Sequence, residues 1–274
     1  MTSSAIRIEP FFLDSPRGPM FCIYSAPAAM PIKGAVLYLH PFAEEMHKSR
    51  RMAALQTRAL AAQGHAVLQI DLTGCGDSAG DFADASWSAW LNDASMAHDW
   101  LAEKSAKTVS LWGLRTGALL ATHLAQQLPA IQHLILWQPV NDGSLFLNQF
   151  LRIKLASEML SEGQSKSGTK ELLSQLDAGN GVEVGGNMLS PEMARELGSL
   201  KLATMLPTCS VTWLEIGAED SLNVTPASQK IVATWQASHA EVHTNTIKGD
   251  PFWITQEIAE CPALIHATLE SLNR

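Results

Sequence analysis

The chain of 274 residues contains little charge, few cysteines and no long apolar run. Charged residues make up 17% of it, against about 25% in ordinary domains, which favours a well-buried globule over a disordered chain or a coiled coil. The net charge is −8, and the longest basic block is "KSRR" at 48–51. We therefore expect no nucleic-acid partner.

Other absences bear on location and cofactors. The start "MTSSAIRIEPFF" has no basic segment followed by an apolar one, so we expect no signal peptide. No apolar run approaches the roughly 18 residues of a membrane span. The cysteines are scattered and form no CxxC, which predicts a reduced, cytoplasmic protein with no metal and no cofactor.

Strand and helix patterns alternate along most of the chain, which predicts an α/β fold with a mostly parallel central sheet and helices on both faces. A hairpin around "DSPRGP" opens it, and the last helix reads "FWITQEIAECPALIHATLESLN". The alternation lapses over residues 141–205, and such a long excursion usually has a function. We predict a core domain of residues 1–140 and 206–274 with a cap or lid insertion at 141–205.

The stretch "SLWGLRTGALLA" (110–121) runs from an apolar strand into a helix of small residues. Its Gly-x-residue-x-Gly turn is the frame of a nucleophile elbow, which presents the central side chain above the sheet. That residue, serine in G-x-S-x-G, is Arg115 here. The N–H of Thr116 is one expected oxyanion-hole donor. Pro41 has no N–H, so Phe42 of the loop "HPFAEE" is the other.

Further candidates lie near the same sheet edge, where ligands bind in open α/β folds. His40 either bonds its own loop or takes a chemical role. The turn "DLTGCGDSAGDF" (71–82) contains G-x-G-x-x-A, but no helix begins there, so we reject a dinucleotide site. Cys75 in this turn is a small apolar filler or a nucleophile. The candidate ligand contacts are His40, Cys75, Gln149, Arg152 and Trp253.

Two acidic residues occupy the places of the nucleophile's partners. Asp220 in "GAED" follows the penultimate strand, and Asp250 in "KGDPFW" stands where a histidine is expected after the last strand. Arginine is never deprotonated, and an aspartate beside a guanidinium has a lowered pKa. We expect Arg115 and Asp250 to form an ion pair with Asp220 nearby. Arg115 could then serve as a structural partner, recognise an anion or carboxylate, or be a tolerated replacement.

The segments "HPFAEEMHKSRR", "DLTGCGDSAGDF", "WGLRTGALLA" and "GDPFW" resemble the α/β-hydrolase superfamily, and within it the exosortase A system-associated hydrolase, type 2. The resemblance implies an α/β-hydrolase fold and a setting of exopolysaccharide production and protein sorting. It implies a hydrolase without an established substrate. Arginine in the elbow is itself typical of that branch.

Three functions are open at this stage. The first is a hydrolase fold with a degenerate triad that binds a small acyl or anionic ligand under its cap, or a partner protein of the polysaccharide system. The second is an active esterase or thioesterase-like hydrolase that uses an unusual nucleophile or an activated water, with His40 or Asp220 as base. The third is a structural subunit, and a homodimer is a further expectation. The apolar stripe Phe146, Phe150 and Ile153 fits either cap packing or a substrate groove.

Overall fold

A computed structural model describes residues 5–128, 130–162, 168–221 and 223–273. Eight strands form one sheet, and their bounds are as follows: β1 Ile6–Leu13, β2 Met20–Pro27, β3 Gly34–Leu39, β4 His65–Ile70, β5 Val109–Leu114, β6 His133–Trp137, β9 Ser210–Gly217 and β10 Val242–Lys248. Their order across the sheet is β1-β2-β4-β3-β5-β6-β9-β10. β2 pairs antiparallel with β1 and β4, and the other pairs are parallel. The predicted opening hairpin and mostly parallel sheet are confirmed.

Helices cover both faces of this sheet, as predicted. They are α1 Glu44–Ala62, α2 Trp87–Ser105, α3 Thr116–Ala125, α7 Pro226–Ala237 and α8 Pro262–Ser271. Strand β3 shows why two layers are needed, because Leu37 and Leu39 belong to the apolar cluster that contains residues of α2 and α3, whereas Val36 belongs to the cluster that contains residues of α1 and α8. Both faces are apolar, so each must be covered to remove it from water.

The segment between β6 and β9 contains α4 Gly143–Glu162, α5 Thr169–Asp177, the hairpin β7 Val182–Val184 with β8 Asn187–Leu189, and α6 Pro191–Gly198. The sequence patterns predict α4 and α6 but miss α5 and the hairpin. Gly185 and Gly186 turn that hairpin with φ of 56° and 82°, values that favour glycine. Part of the polar stretch 161–171, namely 163–167, lies outside the described residues.

The last helix is shorter than its pattern predicts. It begins at Pro262, and residues 252–261 form turns and irregular loop. Proline lacks the N–H that an interior helical position donates, and it disfavours helical backbone at the residue before it. Cys261 accordingly has φ −127° and ψ 82°. The freed segment brings Trp253 to the sheet edge. Within the described residues, no helix is both long and apolar enough to cross a membrane.

Candidate functional site

The turn between β5 and α3 holds Arg115 in a strained backbone conformation, with φ 57° and ψ −117°. A non-glycine residue with such a φ costs on the order of 1–3 kcal/mol. The flanking glycines make the turn possible, because a Cβ at Gly113 would collide with the Gly117 carbonyl, and one at Gly117 with the Leu39 carbonyl. This is the elbow that the sequence predicts, and it lifts the Arg115 side chain above the sheet.

The guanidinium of Arg115 is held on three sides. Its Nε donates to Glu45, 3.3 Å from Oε1 and 3.4 Å from Oε2. Its Cζ lies 5.9 Å from the ring centroid of Phe146 and 5.6 Å from that of Trp253, which are cation–π distances. Among the described residues, no protein acceptor bonds to either Nη atom. Two terminal nitrogens of a buried cation therefore remain available.

The predicted ion pair between Arg115 and Asp250 is wrong. Within 4.0 Å the described ion-pair partner of Arg115 is Glu45, and the two side chains are only 18% and 16% exposed. Asp250 is exposed in the turn after β10, where its carbonyl accepts the N–H of Phe252 at 2.8 Å. That turn sends Trp253, not Asp250, against the guanidinium. A carboxylate left in water gains little by pairing, so Asp250 stays solvated.

Asp220 also lies apart from Arg115. It is exposed, and its Oδ1 accepts the backbone N–H of Lys248 at 2.7 Å, which fastens the loop after β9 to β10. Neither acidic residue at the expected partner positions meets the elbow. The carboxylate that does so is Glu45, the last residue of the segment "HPFAEE", and it lies in the first turn of α1. The pair of glutamates shortly after a strand end was the available signal in the sequence, and our prediction did not include it.

Burial and charge oppose each other at Glu45. Its removal from water raises the pKa of the carboxyl, and the nearby Arg115 guanidinium lowers it, with burial the larger effect. Lys48, one turn further along α1, also lowers this pKa. The nearby Arg115 guanidinium therefore favours the charged form of Glu45, which burial alone would disfavour.

His40 has no vacant ring nitrogen. Its Nδ1 donates to the Pro41 carbonyl at 2.7 Å, and its Nε2 accepts the N–H of Leu72 at 3.2 Å. Burial lowers the pKa of His40 to about 4, so the ring is neutral. Because both ring nitrogens already bond to the backbone, His40 has a structural role, and the alternatives of a base or a ligand contact are not supported.

Two other candidates also have structural positions. Cys75 is buried inside the glycine turn, and burial raises the pKa of its thiol, so the sulfur is protonated and a poor nucleophile. Arg152 is exposed on α4 and does not line the cavities beside Arg115. It lies on the solvent side of α4, away from Phe146 and Phe150. The prediction that Arg152 contacts a ligand is therefore not supported by its position.

Arg115 separates two cavities. The first, of about 310 Å³, is the aromatic cavity; among its walls are Phe42, Glu45, Phe146, Phe150 and Trp253. The second, of about 250 Å³, is the polar cavity; among its walls are Gln138, Asn141, Glu215, Thr225 and Ser228. Gln149 and Phe146 border both cavities. The stripe on α4 thus lines a site, and it also packs on the core through edge-on contacts of Phe42 with Phe146 and Phe150.

The polar cavity contains groups that sequence reasoning missed. Glu215 is 2% exposed and accepts bonds from Trp213 Nε1 at 3.1 Å and from the Thr225 N–H at 2.8 Å. Asn141 donates to Ser228 at 3.0 Å, while its buried Oδ1 has no partner among the described residues. Nothing in the local pattern around these residues marks them, because the strand β9 and the start of α4 meet only in the fold.

The expected oxyanion donors also have no acceptor within the described part of the chain. Neither the Phe42 N–H nor the Thr116 N–H donates to another described residue. Thr116 is 1% exposed and its hydroxyl also lacks a partner in the described chain. The loop and helix ends around Arg115 therefore offer N–H groups together with the guanidinium.

Comparison with solved structures finds several hydrolases over nearly the whole chain. Est1E from Butyrivibrio proteoclasticus, solved with ferulic acid bound, matches 96% of this chain and 100% of its own at 18% identity and a TM-score of 0.71. An α/β serine hydrolase without a lid from Xanthomonas campestris matches 97% and 94% at 16% identity and 0.60. The thioesterase domain from the curacin biosynthetic pathway matches 97% and 99% at 18% identity and 0.55. At these identities the likeness shows the α/β-hydrolase fold.

Comparison with curated proteins finds no match. A family model described as serine aminopeptidase, S33, matches residues 30–176, which is more than half of the chain and includes β3, the elbow and α4. The chain therefore belongs to the serine aminopeptidase S33 family of hydrolases.

Proposed function

We propose that this protein binds a small ligand with a carboxylate and an apolar aryl or acyl body. The observation that carries the proposal is the state of Arg115. Its Nε is held by Glu45 and its face by Phe146 and Trp253, while both Nη atoms lack an acceptor among the residues that the structure describes. A planar guanidinium presented in this way suits bidentate recognition of a carboxylate.

The aromatic cavity supports the same ligand class. Its volume of about 310 Å³ is at the lower end of ordinary ligand pockets, and four aromatic side chains together with Ile153 and Ile254 give it an apolar wall. Est1E, which shares the fold, was solved with ferulic acid, an aromatic carboxylic acid. In our proposal the carboxylate of such an acid lies against Arg115 and its ring lies in the aromatic cavity against Phe150 and Trp253.

The proposal includes loss of serine-type chemistry. Arg115 cannot act as a nucleophile, and Asp250 replaces the histidine. A serine-directed fluorophosphonate probe is expected to leave the protein unlabelled, and labelling at any residue would contradict this part of the proposal. The cap boundaries at 141 and 205, the exosortase A-associated assignment with an exopolysaccharide-system partner, the cytoplasmic location and a homodimer remain predictions.

Isothermal titration calorimetry with ferulate and hexanoate tests the binding. We expect ferulate to bind and methyl ferulate, which lacks the carboxylate, to bind at least tenfold more weakly, because a hydrogen bond to a charged group contributes about 1.5–3 kcal/mol. Arg115→Gln is expected to lose ferulate binding and Arg115→Lys to retain part of it. Lys107→Gln, an exposed change of equal charge outside the site, is the control. Equal binding of ferulate by wild type and Arg115→Gln would refute the proposal.

One observation favours a second function, hydrolysis by activated water. Glu45 borders the aromatic cavity, where burial raises its pKa, and the nearby N–H groups of Phe42 and Thr116 have no acceptor in the described chain. A carboxylate of raised pKa can act as a general base. Turnover of p-nitrophenyl esters or acyl thioesters by wild type, and its loss in Glu45→Gln with binding of ferulate retained, would establish this function in place of binding alone.

A further inference from the structure

A groove of about 430 Å³ runs along α1 outside the aromatic cavity, and we call it the basic groove. Its basic side chains are His47, Lys48, Arg50, Arg51 and Arg58, and its apolar lining includes Leu55 and Ile258. Among the described residues no acidic side chain lines it, although Asp71 and Glu260 pair with Arg50 and Arg51. A concentration of this kind in a chain of net charge −8 creates a local positive field that attracts anions.

The helical period places the groove's residues in one stripe that begins at the site. Lys48, Arg51, Leu55 and Arg58 follow one another at intervals of three or four residues, so they share one face of α1. The stripe starts one turn after Glu45, the partner of Arg115. At 1.5 Å per residue, Arg58 lies about 20 Å along the helix axis from Glu45. A single extended ligand could therefore follow the helix from the elbow to Arg58.

Lys48 connects the groove to the aromatic cavity. It borders both spaces, and its Nζ donates to the Ile254 carbonyl at 3.3 Å. Ile254 lines the aromatic cavity and is 56% exposed, while Ile258 lines the groove and is 71% exposed. An apolar rim thus continues from the cavity mouth along the basic side chains. Such a surface fits a ligand whose arm is partly apolar and ends in negative charge.

Not all of the groove's charge is neutralised within the protein. Arg50 pairs with Asp71 and Arg51 pairs with Glu260. Arg58 has no ion pair or hydrogen bond among the described residues, and Lys48 bonds only to a carbonyl. Arg58, at the far end of the stripe, therefore has no ion-pair partner among the described residues, whereas Lys48 at the near end also interacts with the Glu45 carboxyl.

We propose that the basic groove binds the phosphates of an acyl thioester carried on a phosphorylated pantetheine-type arm. This inference rests on the proposed function, because the acyl group would place its distal carboxylate on Arg115. The arm would pass Lys48 and Ile254, and its phosphates would lie between Arg51 and Arg58. The distance of about 20 Å along α1 requires a long linker between carboxylate and phosphate, which such an arm provides.

Calorimetric titration with four probes tests this inference: adipoyl-coenzyme A, hexanoyl-coenzyme A, adipate and free coenzyme A. Adipoyl-coenzyme A is expected to bind at least tenfold more tightly than adipate, which lacks the arm, or hexanoyl-coenzyme A, which lacks the distal carboxylate. Its affinity should fall steeply with added salt, because the phosphate contacts are solvent-exposed charge pairs. The affinity of adipate should depend much less on salt, because adipate carries no phosphates to contact the basic groove.

Variants separate the two parts of the site. Arg58→Gln is expected to weaken adipoyl-coenzyme A about three- to fivefold, as for an exposed charge contact, and to leave adipate unchanged. Arg58 has no described partner, so this change breaks no ion pair. Arg115→Gln should weaken both probes, and Lys107→Gln neither. Arg58→Ala is a second variant of the same position, and an unchanged unfolding midpoint shows that any loss of binding does not come from a folding defect.

The outcomes distinguish the two proposals. If adipate binds through Arg115 but adipoyl-coenzyme A binds no tighter, the groove proposal fails and the proposed function stands. If neither probe depends on Arg115, the proposed function fails. If Arg58→Gln instead abolishes binding to phosphatidylglycerol vesicles and has no effect on adipoyl-coenzyme A, the groove is a membrane contact and the inference is overturned.

Discussion

A double-mutant cycle on Arg115 and Glu45 measures the contact on which the site depends. The variants are Arg115→Gln, Glu45→Gln and the double replacement. Glutamine has the size of glutamate, so Glu45→Gln removes the charge alone, whereas Arg115→Gln also shortens the side chain and removes its contacts with Phe146 and Trp253. The exposed pair of Arg7 with Glu9, whose side chains are 52% and 43% exposed, gives the matched control cycle.

The burial of the pair sets the expected magnitude. Breaking a fully buried ion pair costs 3–5 kcal/mol, and this pair retains 18% and 16% exposure, so we expect Arg115→Gln to cost about 2.5 kcal/mol. Glu45→Gln should cost only about 1 kcal/mol, because Phe146 and Trp253 still offer their ring faces to the cation. The double variant should cost about 1.5 kcal/mol, which gives a coupling of about 2 kcal/mol.

The pH dependence of the cycle follows from the carboxyl group. Burial raises the folded-state pKa of Glu45 above its ordinary value of 4.5. A raised pKa means that the folded state binds the proton more tightly, so this contribution to stability is present below pH 4.5 and is lost as the pH rises through the folded-state pKa. Arg115→Gln removes the cation that opposes burial, so its stability should fall more steeply with pH. Glu45→Gln should lack this dependence.

Urea unfolding monitored by tryptophan fluorescence at pH 4.5 and pH 8 provides the free energies. We expect the coupling of about 2 kcal/mol at pH 8, a smaller value at pH 4.5, and no more than about 0.5 kcal/mol for the exposed control pair. A coupling at pH 8 no larger than the control would show that Arg115 and Glu45 do not interact in solution, and the argument for a fixed guanidinium would fail with it.

Three further predictions concern the elbow, its loop and the cavity wall. Gly117→Ala is expected to destabilise the fold by about 2–3 kcal/mol in urea unfolding, because its Cβ would overlap the Leu39 carbonyl, whereas Gly168→Ala, with open space around it, should change little. The folded-state pKa of His40, about 4, lies below its ordinary value of 6.5, so the stability that the neutral ring contributes should be lost as the pH falls from 6.5 to 4. This loss should be smaller in His40→Gln, and an acid unfolding transition unchanged by the replacement would contradict the argument. Trp253→Ala should weaken ferulate about three- to tenfold in calorimetry and Trp253→Phe less, and equal affinities would exclude ring contact.

The sheet was predictable because its signals are local. A buried parallel strand is apolar on both faces and shows as a short continuous run, as at β5. The turns between strands and helices carry glycines at the positions that their backbone requires. The hairpin β7–β8 and the start of α8 were missed for the opposite reason. Three-residue strands give too short a pattern, and the apolar period before Pro262 continues although proline ends the helix.

The elbow was predictable for the same local reason, and its ion-pair partner was not. Gly113 and Gly117 flank Arg115 at fixed spacing, so five consecutive residues are enough to predict the turn. The partner depends on which of several loops at one sheet edge brings a carboxylate within reach. The position of Asp250 after the last strand suggested this residue as the partner. Loops that meet at one sheet edge need not bring their side chains into contact, and the Asp250 carboxylate is exposed to water.

The backbone at Ala43 explains why Glu45 reaches the guanidinium. Ala43 has φ 48° and ψ −127°, close to the 57° and −117° of Arg115, and each residue immediately precedes a helix. The chain therefore makes the same sharp turn at the ends of β3 and β5, which are neighbours in the sheet. Two helices begin side by side, and the first turn of α1 meets the elbow. Glycine at position 115 would relieve the strain there but would remove the guanidinium, so we infer that the contact of Arg115 with Glu45 offsets part of the strain at this helix start.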